Sequence, residues 1–232
     1  MLLQHKLKLF LFKKGMSFIY FVDVSHLSQR QNQSFKVAIL FGKSLSKKYL
    51  NKVASTPNYV EAMKRNNEIS KDEFHNTELY TDQVANELEA YLKIQKVNAF
   101  SQSEENILKN ALYNLEDKST PLPHKTIALM AGMGWIGKNN LLITPQYGCG
   151  ISMCSVLCNA PLITQNTLPL KPQCDGCTTC YDACSPKAIN GETWQYAMPR
   201  LDLIDVHHCT TCFQCVVQCP QTIKYAKTGI GK

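Results

Sequence analysis

The sequence predicts an α/β (α+β) domain with a mixed sheet over residues 1–168, joined to a small cysteine-rich module over residues 169–232. Three observations predict it. Dense β-branched and aromatic runs alternate with segments of helical period through the first 160 or so residues, the pattern of a sheet covered by helices. The last quarter of the chain carries one cysteine spacing twice. Between the two regions Thr164–Pro172, TQNTLPLKP, is polar and proline-bearing, as a linker is. With 232 residues the chain can bury the core of one medium domain plus a small one.

The first fifteen residues, MLLQHKLKLFLFKKG, are basic and apolar. Lys6 and Lys8 interrupt the apolar run, no small-residue cleavage site follows, and the run is too short to span a bilayer. An amphipathic helix closed by Gly15, with Lys13 and Lys14 in its last turn, is the expectation, and no membrane association. MSFIYFVDVSHL then reads as a buried strand ending near Asp23, and Phe35–Phe41 (FKVAILF) as a second strand. Residues 43–73, rich in Lys, Asn and Ser, read as a short helix and a mobile loop. Val84, Leu88, Tyr91 and Leu92 recur at helical spacing within Glu78–Lys93. Val97–Phe100 reads as a short strand, and Ser103–Leu115 as a helix opened by Ser103 with Glu104 and Glu105 in its first turn.

Lys118–Leu142, KSTPLPHKTIALMAGMGWIGKNNLL, holds Gly132, Gly134 and Gly137 in G-x-G-x-x-G order. A dinucleotide site needs a strand before these glycines, a helix after them and an acid about 20 residues on. Here a helix-like HKTIALMA precedes, a strand-like LLIT follows, and no carboxylate occurs until Asp175. The glycines are therefore expected to permit close backbone approach to a ligand or a neighbouring element. The net charge of +7 is modest, and Lys118–Cys174 contains no Asp or Glu. Core segments shed charge, and that reading is preferred here to a face for an anionic ligand or RNA.

Cys174, Cys177, Cys180 and Cys184 form C-x2-C-x2-C-x3-C, and Cys209, Cys212, Cys215 and Cys219 repeat it 35 residues later. Three thiolates at this spacing wrap one cubane cluster while the fourth reaches the other cluster. That gives two 4Fe-4S clusters, one held by Cys174, Cys177, Cys180 and Cys219 and the other by Cys209, Cys212, Cys215 and Cys184, in a ferredoxin-like domain. Pro186 and Pro220 follow the two sets, with Ser185 standing between Cys184 and Pro186. Zinc takes four ligands and would leave four of these thiols unused. Cluster spacing in a chain with eleven cysteines points to a reducing, cytoplasmic setting rather than to disulfides. Cys149, Cys154 and Cys158 fit no ligand frame and read as small buried residues, Cys154 and Cys158 sharing one face of a strand.

PLPHKTIALMAGMGWIGKNNLLI, followed by a strand ending in Asn159-Ala160-Pro161-Leu162 and by two cluster motifs, resembles the epoxyqueuosine reductase family and its relatives, the cobalamin-dependent reductive dehalogenases. The resemblance implies an α/β domain that holds cobalamin, fed with electrons by a dicluster module. It also implies that Gly132, Gly134, Trp135, Gly137 and Lys138 line or support a cofactor pocket. In the queuosine enzymes a catalytic aspartate precedes an S-x-P or T-x-P turn. Here Lys118 stands before Ser119-Thr120-Pro121, with Asp117 one residue further back, so these two are the candidate proton donors. The helical-repeat region that grips tRNA in that family has no counterpart in the 13 residues after Cys219, which argues against a tRNA substrate. Of the remaining residues, His124 reads as structural or exposed rather than as a ligand or acid, Trp135 as a packing anchor, and Lys138 as either a donor to a phosphate or cofactor or a solvated side chain.

The expected function is thus an oxidoreductase passing single electrons from an external donor, a ferredoxin or flavodoxin, through two clusters to a site in the first domain. The substrate there would be a small molecule or nucleoside. The alternative is a non-enzymatic ferredoxin-like carrier that docks a redox partner. A partly apolar cavity separates the two, since an enzyme needs one and a carrier needs only a surface.

Overall fold

Leu7 and Leu11, one helical turn apart and fully buried, fix the first helix, α1 (Leu3–Lys13), in a computed structural model that describes residues 3–228. Residues 1, 2 and 229–232, the outer ends of the two expected domains, lie outside the described residues. The chain continues through β1 (Phe18–Asp23), α2 (Gln29–Asn32), β2 (Val37–Ser44), α3 (Lys47–Ser55), α4 (Tyr59–Arg65), a 3-10 turn at Ile69–Lys71, α5 (Glu73–Ile94), β3 (Ala99–Ser101) and α6 (Glu104–Lys109). Then follow α7 (His124–Met130), β4 (Trp135–Ile136), β5 (Leu142–Ile143), β6 (Ile151–Cys158), α8 (Thr179–Asp182), α9 (Arg200–Leu203), α10 (Gln214–Val217) and α11 (Pro220–Lys227). Among the described residues no helix is long and apolar enough to cross a membrane.

These elements sort into two units, each assembled from three stretches of chain. The first unit comprises residues 1–43, 77–132 and 152–169. It is built on a four-stranded sheet in the order β1-β2-β6-β3, in which β1/β2 and β3/β6 are antiparallel. The first six residues of β2 are all buried, which is why VAILFG reads as an unbroken apolar run rather than an alternating one. Leu7 and Leu11 of α1 and Val84, Leu88 and Leu92 of α5 pack with Phe21, Ile39, Phe41, Cys154, Val156 and Cys158 of the sheet. Each such side chain removed from water stabilises the fold by about 1.5–3 kcal/mol. Gly42 admits the neighbouring strand, because a Cβ there would lie 2.2 Å from the Ser152 carbonyl oxygen. Helix α6 ends at Lys109 rather than near Leu115, since Ala111 turns into the left-handed region and Asn114 bridges to Ser119.

The second unit comprises residues 44–76, 133–151 and 170–232. Residues 43–73 are not a short helix and a loop. They form α3, α4 and the 3-10 turn, and Tyr49, Leu50, Val53, Tyr59 and Val60 pack with Val216, Val217, Cys219 and Ala226 of the cysteine-rich segment. The cover for this sparse apolar face comes from far along the chain, so the local pattern did not reveal it. The hairpin β4/β5 pairs Trp135 with Ile143 and Ile136 with Leu142.

Candidate functional site

The glycines of the GMGWIGK segment make room for protein. A Cβ on Gly134 would stand 2.0 Å from the Ile143 carbonyl oxygen, and one on Gly137 2.4 Å from the Ile143 side chain. Gly132, at φ 66°, faces Thr167 in the first unit, where a Cβ would meet Oγ1 at 2.0 Å. Tight packing therefore accounts for all three glycines. Trp135 and Lys138, carried on and just after β4, are both buried.

Those two side chains line a cavity of about 190 Å³ together with Asn139, Ile143, Cys174, Cys177, Cys180 and Cys219. Cys219 thus stands with the first cysteine set. The electrostatic neighbours of the thiols follow this grouping with an overlap at Cys180, which neighbours both sets. Burial raises the pKa of Cys180 to about 11, reinforced by the charges of Cys219, Cys174 and Cys177. Burial also raises that of Cys215, reinforced by Cys212, Cys209, Cys180 and Cys184. Cys184 in turn packs with Ala188, Ile189, Ile204 and Val206, next to Cys180, Cys209 and Cys215. Among the described residues no three His, Cys, Asp or Glu side chains converge as ligands of a single metal ion do.

Around the first set lie polar groups that motif reading missed. Trp135 Nε1 is buried without a hydrogen-bond partner. Cys149 Sγ lies 3.3 Å from Thr222 Oγ1, and its backbone N–H donates to the same oxygen at 3.1 Å. Cys149 packs in one buried cluster with Cys219, and the paired thiols lower the Cys219 pKa to about 6 and raise that of Cys149. Asn139 Nδ2 donates to the Cys215 carbonyl oxygen at 3.2 Å. Cys154 and Cys158 are buried in the core of the first unit. No sequence spacing ties Cys149 to Cys219; the contact exists because Gly148, at φ 59°, brings the loop against Thr222.

The first unit has its own opening, a groove of about 860 Å³ lined by residues 28–31, Gln33, 111–114 and 119–121. Gln29, Gln31, Gln33 and Asn114 give it an amide wall, and Gln33 Nε2 is buried without a partner. Ser119, on the groove, donates to Asp117 Oδ1 at 2.5 Å. Lys118 occupies the left-handed region at φ 50°. His124 lies elsewhere in this unit, its Nδ1 2.9 Å from Ser155 Oγ.

None of the family models matches this sequence. A curated epoxyqueuosine reductase from Bacillus cereus is 32% identical over 101 residues, 42% of this chain and 24% of the relative. One from Synechocystis is 38% identical over 69 residues, 30% of this chain and 23% of the relative. The chain is a divergent relative of the epoxyqueuosine reductases. The matched stretch spans about a quarter of the length of these reductases. Fold similarity extends further. A reductive dehalogenase solved with 3-bromo-4-hydroxybenzoic acid superposes over 95% of this chain and 32% of its own, with TM-score 0.67 at 14% identity. Epoxyqueuosine reductase in complex with a tRNA stem loop superposes over 95% of this chain and 65% of its own, with TM-score 0.56 at 14% identity.

Proposed function

We propose that this chain is an iron–sulfur reductase that carries single electrons through two 4Fe-4S clusters toward a cofactor or substrate site in the α/β unit. The observation that carries the reading is the cavity that brings Cys219 together with Cys174, Cys177 and Cys180, while Cys184 packs near Cys209 and Cys215, with Cys180 next to both groups. One set of four thiolates per cubane is the ligand count required. The donor set fits: soft thiols surround a small cavity, and the orphaned Trp135 N–H supplies a donor for which a cluster sulfur is a suitable acceptor. When bound, the clusters supply one-electron redox chemistry without proton transfer. The protein's part is to bind them through the eight cysteines and to exclude water with Ile143, Ile189, Ile204 and Val206.

For a corrinoid the groove of the α/β unit fits in chemistry. Its amide wall and the unpartnered Gln33 Nε2 match the amide-bearing rim of a corrin, and Gln33 and Asn114 would hold it there. Asp117, held by Ser119 at the groove, is the candidate proton carrier, with Lys118 beside it. The relatives' names support a reductase, and the substrate class we propose is a small molecule or nucleoside.

Anaerobic reconstitution of the full chain with iron, sulfide and a cobalamin, then gel filtration and metal analysis, tests this. About eight irons with one cobalt per chain supports the cobalamin-dependent reductase. About eight irons without cobalt favours the carrier docking a redox partner, and about one or two zinc ions in place of iron overturns both readings.

A further inference from the structure

Given two clusters as proposed above, we infer that they are unequal by construction. The site of Cys174, Cys177, Cys180 and Cys219 has the higher reduction potential, set by Trp135 Nε1–H, the Lys138 ammonium and the Cys149 thiol.

The two sites are walled by different chemistry. The first is lined by Trp135, Lys138 and Asn139, and all three are at most 8% exposed. Trp135 is fully buried, and its N–H has no partner in the protein. An indole N–H left unpaired costs about 1–3 kcal/mol, so a position that strands one beside four thiols is explained when a sulfur accepts from it. Cys149, whose Sγ lies 3.3 Å from Thr222 Oγ1 and 3.8 Å from the Val216 carbonyl oxygen, is buried in one cluster with Cys219, where its S–H can turn to that sulfur as a second donor once Cys219 is a thiolate ligand. Lys138 adds a positive charge with little water to screen it. The second site is packed against Ala188, Ile189, Ile204 and Val206, with the Ala188 backbone N–H 3.3 Å from Cys184 Sγ. Lys64 donates to the Thr210 carbonyl oxygen and Thr211 Oγ1 on the loop between Cys209 and Cys212, and it is exposed, so water screens its charge.

Reduction adds one electron to a cluster, making it more negative and its sulfurs better acceptors. Donors and a cation therefore stabilise the reduced form, whereas an apolar wall favours the less charged oxidised form. An electron entering at the second site from a low-potential one-electron donor, a reduced ferredoxin or flavodoxin, passes to the first. The second cluster is then oxidised by one electron and the first reduced by one, and no bond or proton moves. Trp135, Lys138 and Cys149 are positioning residues that set the direction of flow.

The test is an EPR-monitored reductive titration of the full chain, reconstituted to about eight irons. Two separate midpoints are expected. The cluster reduced first should show coupling to an exchangeable proton and to the nitrogen of ¹⁵N-indole-labelled tryptophan, a readout on the native protein that needs no variant. Trp135→Phe should abolish that coupling and move the higher midpoint to more negative potential, leaving the lower one in place. Cys149→Ala should move the same midpoint in the same direction and keep the indole coupling. A first-reduced cluster without indole coupling, or midpoints unmoved in both variants at full iron content, overturns the inference while the two-cluster reading stands. Iron at about half of that content overturns the two-cluster reading and this inference with it.

Discussion

His124 shows how a single hydrogen-bond chain decides a residue's role. Ser155 Oγ donates to Gln102 Oε1 at 2.6 Å, so its oxygen accepts from the imidazole, and Nδ1 is the protonated nitrogen. Gln102 Nε2 closes the chain on the Leu122 carbonyl oxygen at 3.0 Å. Burial lowers the His124 pKa to about 4, below its ordinary 6.5. The unfolded chain therefore binds a proton that the folded one refuses between about pH 6.5 and 4. Stability from this residue is full above 6.5 and is lost as pH falls through that window, by about 1–3 kcal/mol. Urea unfolding of metal-free protein at pH 7 and pH 5 should show this loss in the wild type and a smaller one in His124→Gln; equal losses would sink the account. Type and setting alone leave His124 either structural or exposed, and its burial against Ser155 decides for the first. The two matching cysteine sets stand out in the sequence because their spacing is local, and the buried Trp135 and Lys138 because they fall in the GMGWIGK segment. Cys149 and Asn139 do not, since what matters about them is contact with Cys219 and Cys215, made by folding rather than by spacing.

At the scale of elements, short helices depend on their ends. Ser46 caps α3, accepting from the Tyr49 N–H at 3.1 Å, and its hydroxyl donates to Glu73 Oε2 at 2.6 Å. Ser46→Ala should cost about 1 kcal/mol. Gly148→Ala should cost more, about 2–5 kcal/mol, because φ is 59° and the added Cβ would stand 2.4 Å from the Thr222 backbone nitrogen. Urea midpoints of the two variants rank them, and a Gly148→Ala variant as stable as the wild type would contradict the close approach. Strands β1 and β2 are legible as dense apolar runs, and helices α1, α5 and α7 as apolar residues recurring at helical spacing. Helices α3 and α4 are not, since in the first the buried Tyr49, Leu50 and Val53 are interspersed with Lys47, Lys48, Asn51 and Lys52. Helix α6 was drawn too long because nothing in ILKNALYNL announces the left-handed turn at Ala111.

At the scale of the molecule, the cysteine-rich segment takes its core from elsewhere in the chain. Val216, Val217 and Ala226 pack with Tyr49, Leu50, Val53 and Trp135. Residues 169–232 expressed alone should retain well under half of the iron that the full chain holds after identical reconstitution, measured by metal analysis. Equal iron per chain would show that the segment needs no help from residues 44–76 and 133–151.

The strand order β1-β2-β6-β3 has its own consequence for a chain emerging from the ribosome. The strand that lies between β2 and β3 is the last of the four to be synthesised. Until it arrives, β2 and β3 each present an unpaired edge, and β2 is among the most apolar segments of the protein. A nascent chain halted before residue 151 is thus a sheet with its middle missing, sticky by design of its topology. Its safe passage depends on how quickly the next few dozen residues follow, or on a holdase that shields the gap until they do.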